Sequence, residues 1–188
     1  MGSDAFFRSM AYNNAWANQR LLSACTGLNR DELEVARTSF FPTLKQTLNH
    51  ILIVDWYYVD ALEGGSLGPD AWKSEEPYDT IDHLYREQSA VDRRLIEVCK
   101  VLTPEALGTA VRMIRDDREQ IDRTDRVLLH LFQHQIHHRG QAHAMLAGSS
   151  VRPPQLDEFF MTEDASLRSE DLSALGLSED EIWSGLSC

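Results

Sequence analysis

From Ile81 to Leu102 the apolar residues Ile81, Leu84, Tyr85, Val91, Leu95, Val98 and Leu102 recur at steps of three, four and their sums. That period lays one apolar stripe along an α-helix and leaves charged residues on the opposite side, so the segment is stable only when packed against other helices. The pattern occurs more than once. From Asp4 to about Cys25, the residues Phe7, Met10, Ala11, Asn14, Leu21, Leu22 and Cys25 draw a similar stripe, which Gly27 and Asn29 end. A second helix is expected to open near Pro42, because a first-turn N–H has no partner to lose, and to stop at Gly64-Gly65. The Ile81 stripe is the third helix and begins near Asp79; a fourth runs from about Thr124 to Gly148. Four long helices predict an all-α, up-and-down four-helix bundle.

Two stretches fit this scheme less directly. Ala110 to Arg123 carries Val111, Met113 and Ile114, then Asp116-Asp117, then Ile121, and reads as a short hairpin or irregular crossover before the last long helix. After Gly148, Pro153-Pro154 opens an acidic segment with Phe159-Phe160, Leu172, Leu175 and Ile182-Trp183. Residues 1–150 are therefore expected to form the bundle and 151–188 an extension packed on it. Ser178 and Glu181 have the spacing of a capping box for a last short helix.

Composition excludes some functions. A net charge of −12 lacks the basic footprint that nucleic acid demands. No apolar run approaches the roughly 20 residues that cross a bilayer, and the N-terminus does not read as a signal peptide. Cys25, Cys99 and Cys188 are few, odd in number and form no CxxC, which suits a reducing cytosol. Cys25 and Cys99 fall on apolar stripes and are expected to be buried thiols. The sequence reads as a cytoplasmic protein acting on a small molecule.

The chemistry concentrates in the fourth helix. Five of the seven histidines lie between His130 and His143. Histidines four apart on a helix stack one above the other and can share an ion. At about 100° per residue, His134 and His138 fall inside the inward stripe marked by Val127, Leu131 and Met145, while His130 and His137 sit at its edge and His143 points away. One helix rarely supplies more than two ligands, so a third comes from a neighbour. His50 shares its face with Val54, Tyr57 and Ala61 and points inward, whereas His83 reads as solvated. The candidate set is His50, His134 and His138. Three neutral imidazoles and an open fourth position are the arrangement of a catalytic zinc site, and imidazole also suits nickel, copper and iron. Asp55, about 140° round from His50, is a poor fourth ligand. Gln141 either orients a ligand ring, bonds across the bundle or lies on the helix surface. Gly140 costs its helix roughly 1 kcal/mol against alanine, which points to close helix approach there. Trp16, Trp56, Tyr57 and Tyr58 read as packing residues.

Three stretches resemble the DinB family of bacterial four-helix proteins (not the DNA polymerase of the same name): Tyr12-Asn13-Asn14-Ala15-Trp16-Ala17-Asn18, Leu48-Asn49-His50-Ile51-Leu52, and above all His134-Gln135-Ile136-His137-His138-Arg139-Gly140-Gln141. The segment Pro153-Pro154-Gln155-Leu156-Asp157 also looks like that family's exit from the last helix. The resemblance implies a triad of one histidine from the second helix and two from the fourth, at His50, His134 and His138. It also implies bound zinc or nickel and homodimers. Related families include enzymes that use low-molecular-weight thiols as co-substrates, so the first functional expectation is metal-dependent thiol transfer in detoxification or stress. The alternatives are a metal-dependent hydrolase and a metal-binding dimer without catalysis.

Overall fold

The computed structural model describes residues 2–184. Its long helices are α1 (Ser3–Cys25), α3 (Leu44–Leu62), α4 (Ile81–Lys100) and α5 (Thr124–Leu146), with a one-turn α2 (Arg30–Glu34) after the first. Helix α3 opens one residue after Thr43, whose hydroxyl accepts from the Gln46 N–H, so Pro42 stands outside the helix and not in its first turn. A capping residue that satisfies an orphan N–H fixes that boundary more firmly than a proline does. Gly64 ends α3 in the left-handed region, at φ +79°, which glycine adopts without a Cβ clash. Residues 110–123 do form a hairpin: β1 (Ala110–Ile114) pairs antiparallel with β2 (Glu119–Arg123). The Tyr57 hydroxyl donates to the Ile114 carbonyl at 3.1 Å and holds the hairpin against α3.

The four long helices touch in a ring: α1 against α4 and α5, α3 against α4 and α5. Residue pairs give their directions. Tyr85 meets Gln19 while Asp92 meets Asn14, so α1 and α4 are antiparallel. Met145 meets Thr47 and His130 meets Tyr58, so α3 and α5 are antiparallel too. However, Gln88 meets Asp55 and Arg94 meets Glu63, so α3 and α4 run the same way. Phe132 stacks with Phe7 and Arg139 meets Asn14, making α1 and α5 parallel as well. The strict alternation expected of an up-and-down bundle is thus absent between α3 and α4. The connection over residues 63–80 instead runs back along the 19-residue α3, about 28 Å long, and its Trp72 packs on Tyr57 at 4.7 Å.

The core holds Trp16, Tyr12, Leu52, Tyr57, Leu95 and Leu128. It also holds polar groups, of which only Asn14 falls on a stripe drawn from the sequence. The Asp92 carboxylate accepts from the amides of Asn14 (3.0 Å), Asn18 (3.0 Å) and Gln88 (3.2 Å). The same two asparagines accept from Arg139 Nη1 at 2.7 and 3.0 Å, and Gln88 also donates to Asp55 at 2.7 Å. All six are buried. Burial pushes the Asp92 carboxyl up to about 6 and pulls the Arg139 guanidinium down to about 10. Asp55 is raised well above its ordinary value, by burial first and by the Asp92 charge second. A buried charge costs several kcal/mol unless hydrogen-bonded, and the amides here supply those bonds.

Residues 147–184 turn back onto α1. Phe159 packs on Trp16 at 5.5 Å, and Arg20 pairs with Asp171 (2.6 Å) and Glu158 (2.9 Å). Two short helices follow, α6 (Ala165–Leu175) and α7 (Glu179–Trp183). Ser178 caps α7 by accepting from the Glu181 N–H at 3.2 Å, but the expected capping box is only half made. The Glu181 carboxylate turns instead to Lys100 at 2.9 Å and to the Tyr12 hydroxyl at 3.2 Å. A full capping box forms at Asn29 and Glu32. Cys25 and Cys99 are free and buried, their thiols pushed up to about 12 by burial; Cys188 lies outside the described residues. No described helix is long and apolar enough to cross a membrane.

Candidate metal centre

The antiparallel contact of α3 and α5 sets His50 opposite His134 and His138. One nitrogen from each ring lies within 4.8 Å of the others. His50 Nε2 and His134 Nε2 are 3.0 Å apart, and the ring centroids of His50 and His138 are 4.6 Å apart. Two nitrogens on a tetrahedral zinc at 2.0–2.1 Å stand about 3.3 Å apart, so the rings already approach the spacing of a shared ion.

Their protonation agrees. Burial, then the charge of His138, pulls His50 down to about 4. Burial and the neighbouring histidines pull His134 down to about 3. His138 is lowered by burial as well, against an opposing hydrogen bond from Gln141. Neutral imidazoles keep the lone pairs that a metal requires. Gln141, one turn on, has its Oε1 2.8 Å from His138 Nδ1. With the carbonyl as acceptor, Nδ1 carries the proton and Nε2 keeps its lone pair. The Gln141 amide nitrogen lies 3.2 Å from His137 Nε2, which fixes the orientation of the amide. Among the three roles open to Gln141, the contact is the one that orients a candidate ligand ring. His134 Nδ1 is enclosed and has no hydrogen-bond partner among the described residues.

The other histidines fall outside this set, although the rings of His137 and His130 lie 4.8 Å from His138 and 6.5 Å from His134. His83, His130 and His137 are exposed, and His143 Nε2 lies 2.8 Å from the Pro154 carbonyl on the far side of α5. Asp55 belongs to the buried polar network and not to the histidine cluster. Gly140 does not mark close helix approach: a Cβ there would meet nothing within 4 Å.

A feature of the site missing from the sequence reading lies in the connections. Phe41 covers the cluster, its ring 4.3 Å from that of His50 and 5.7 Å from that of His138. Beside His50 a hollow of about 330 Å³ is walled by Phe41, Ile53, Val54 and Trp72, with Gln46, Glu75 and Glu76 as its polar groups. Glu76 pairs with Lys45 at 3.2 Å, whereas no described residue forms an ion pair with Glu75. Only the position of residues 63–80 along α3 brings these carboxylates to the site.

The DinB family model matches residues 1–171. This chain belongs to the DinB family. The fold of a DinB-like protein from Bacillus cereus ATCC 10987 is similar, with a TM-score of 0.58 at 16% identity over 74% of this chain and 90% of that one. No curated protein matches the chain. Within this DinB-family fold, the histidine cluster comes from the second and fourth long helices.

Proposed function

We propose that this DinB-family protein holds one divalent transition metal through His50, His134 and His138 and uses it to activate a small thiol for transfer to an electrophile. The observation that carries the reading is the meeting of three neutral imidazole nitrogens within 4.8 Å, from two helices, beside an apolar hollow. A bound zinc or nickel ion would supply the positive charge that holds a thiol as thiolate, or water as hydroxide. The protein's own residues do the rest. Gln141 fixes the tautomer of His138. Phe41 screens the cluster from solvent, which strengthens electrostatic attraction there. The hollow beside His50 seats an apolar electrophile. With an epoxide, the sulfur–carbon bond forms as a carbon–oxygen bond breaks, and the oxygen takes up the proton the thiol gave. The protein is read as a cytoplasmic homodimer in which each chain carries its own cluster.

Cobalt-substituted protein tests this. Adding a small thiol should produce a sulfur-to-cobalt charge-transfer band that grows as the thiol deprotonates and is lost in His138→Ala. Thiol-dependent consumption of an epoxide, a maleate ester or a haloarene should then require the metal. A silent spectrum across several physiological thiols would remove the transfer reading. Hydrolysis is the second reading, and Glu75 favours it: an unpaired carboxylate lining the hollow is a suitable general base. If neither thiol nor water reacts, the ion serves structure alone.

A further inference from the structure

On the far side of α5 from the histidine cluster lies a second hollow, of about 520 Å³ and open to solvent. Ile136, Gly140 and His143 line it, roughly 140–200° round the helix from His138. Two of its other lining residues are unusual. Arg139 is 95% buried by its 5% exposure, and Asn13 is 8% exposed. Arg139 uses Nη1 on the carbonyls of Asn14 and Asn18, and none of its nitrogens forms an ion pair with a described residue. Among the described residues its hydrogen bonds are made through Nη1 alone, and it is on the wall of the hollow. The Asn13 side chain makes no hydrogen bond to a described residue and lies on the same wall. A guanidinium so deeply placed, with half its donor fork unused, is an arrangement that recognises a planar anion.

Gly140 supplies an independent observation. It sits inside a 23-residue helix, where glycine is the poorest choice after proline. Among the described residues, nothing beyond its own stretch of helix lies within 4 Å of the place its Cβ would take. The missing side chain therefore serves no internal packing; it leaves bare backbone on the wall of the hollow beside Arg139.

We infer that this hollow binds the carboxylate of a small organic acid, held by Arg139 and Asn13, with the acid's apolar body against Ile136, Leu156 and Phe160. The open backbone at Gly140 leaves room for that body. Asp157 at the same hollow disfavours more highly charged anions such as phosphate esters. The site does not rest on the metal reading: it lies on another face of α5, and no hydrogen bond joins its side chains to the three candidate ligands.

The test is a titration of the protein, as purified, with benzoate and with its neutral counterpart benzamide, followed by amide and side-chain NMR shifts. Benzoate should cause saturable shifts at Asn13, Ile136 and Gly140, and benzamide should bind at least about tenfold more weakly. Arg139→Lys keeps the charge but loses the fork, and should weaken benzoate by about tenfold. Because any change at a buried arginine also risks the fold, Gly140→Ala is the decisive variant. It should melt about 2–4 °C higher, as a better helix former, and still lose benzoate binding. The proposal is overturned if benzoate shifts only residues around His50 and Phe41, if benzamide binds equally well, or if Gly140→Ala keeps full benzoate affinity. It is also overturned if Gly140→Ala changes the oligomeric mass, which would assign the open backbone to a second copy of the chain.

Discussion

Replacing Gln141 by leucine should weaken metal binding at a cluster it does not itself join. The side chain makes one contact to His138 Nδ1, at 2.8 Å, and one to His137 Nε2, at 3.2 Å. Losing the first removes a neutral hydrogen bond worth about 0.5–1.5 kcal/mol. It also frees the His138 ring to sample about three wells and both tautomers where one is now selected, which adds roughly 0.6–1 kcal/mol to the cost of binding. The sum, about 1–2.5 kcal/mol, corresponds to about a fivefold to sixtyfold loss of affinity, overlapping the range for partners of metal-bound histidines. Competition with a chelating dye at neutral pH would measure it. Gln141→Glu should do the reverse, because a carboxylate accepting from Nδ1–H raises the basicity of Nε2. Unfolding midpoints of the metal-free variants should stay close to that of the parent protein, since Gln141 is half-exposed. If Gln141→Leu binds metal as tightly as the parent, the ring needs no orienting partner and the reasoning fails.

Alanine at His50, His134 or His138 should each abolish metal retention, while alanine at His83 or His143 should leave it intact; metal analysis of the purified variants decides this. Asp92→Ala strands the amides of Asn14, Asn18 and Gln88 and leaves Arg139 without its nearest compensating carboxylate. Urea unfolding should show a loss of about 3–5 kcal/mol, and a loss below about 1 kcal/mol would mean the network is not coupled. In metal-free protein, His50 and His134 titrate near 4 and 3 when folded against an ordinary 6.5. Their contribution to stability is complete above 6.5 and is lost as pH falls through that window. Asp92, raised to about 6, acts with the opposite sign, so the quantity to follow is the difference from His134→Gln, which should lose stability less steeply between pH 6.5 and about 4. Phe6 and Leu129 are left 43% and 53% exposed, large apolar groups of the kind a second copy of the chain is expected to cover. Light scattering should give near twice the chain mass of 21.4 kDa, and a monomeric mass would refute the dimer.

The sequence disclosed what depends on helical period and concealed what depends on the path between helices. His134 and His138 could be picked out because both lie on one helix, where facing follows from spacing alone. His50 required a choice against His83, and the stripe through Val54 and Tyr57 supplied it. Stripes say which face turns inward but not which way a helix runs, so the parallel course of α3 and α4 was not readable. Glu75, Glu76 and Trp72 were hidden for the same reason, since their place depends on the return path of residues 63–80. Asn14, Asn18, Gln88, Asp92 and Arg139 sit at inward positions as polar residues. Asn14 fell on the stripe of the first helix by spacing, but a pattern that scores apolar against polar says nothing of what it bonds and treats the other four as breaks, when in the folded chain each one answers another.

The closure of the last segment onto the first helix bears on how the chain is made. Trp16 is fully buried, but its cover includes Phe159, and Arg20 beside it is held by Glu158 and Asp171. These partners are separated by some 140–150 positions in sequence. A ribosome adding roughly 5–20 residues each second leaves that face of α1 uncovered for about 7–30 seconds. Contacts of such long separation form late, after the local helices. That side of Trp16 therefore stays open in the nascent protein until the segment carrying Glu158, Phe159 and Asp171 has been made and can close over it.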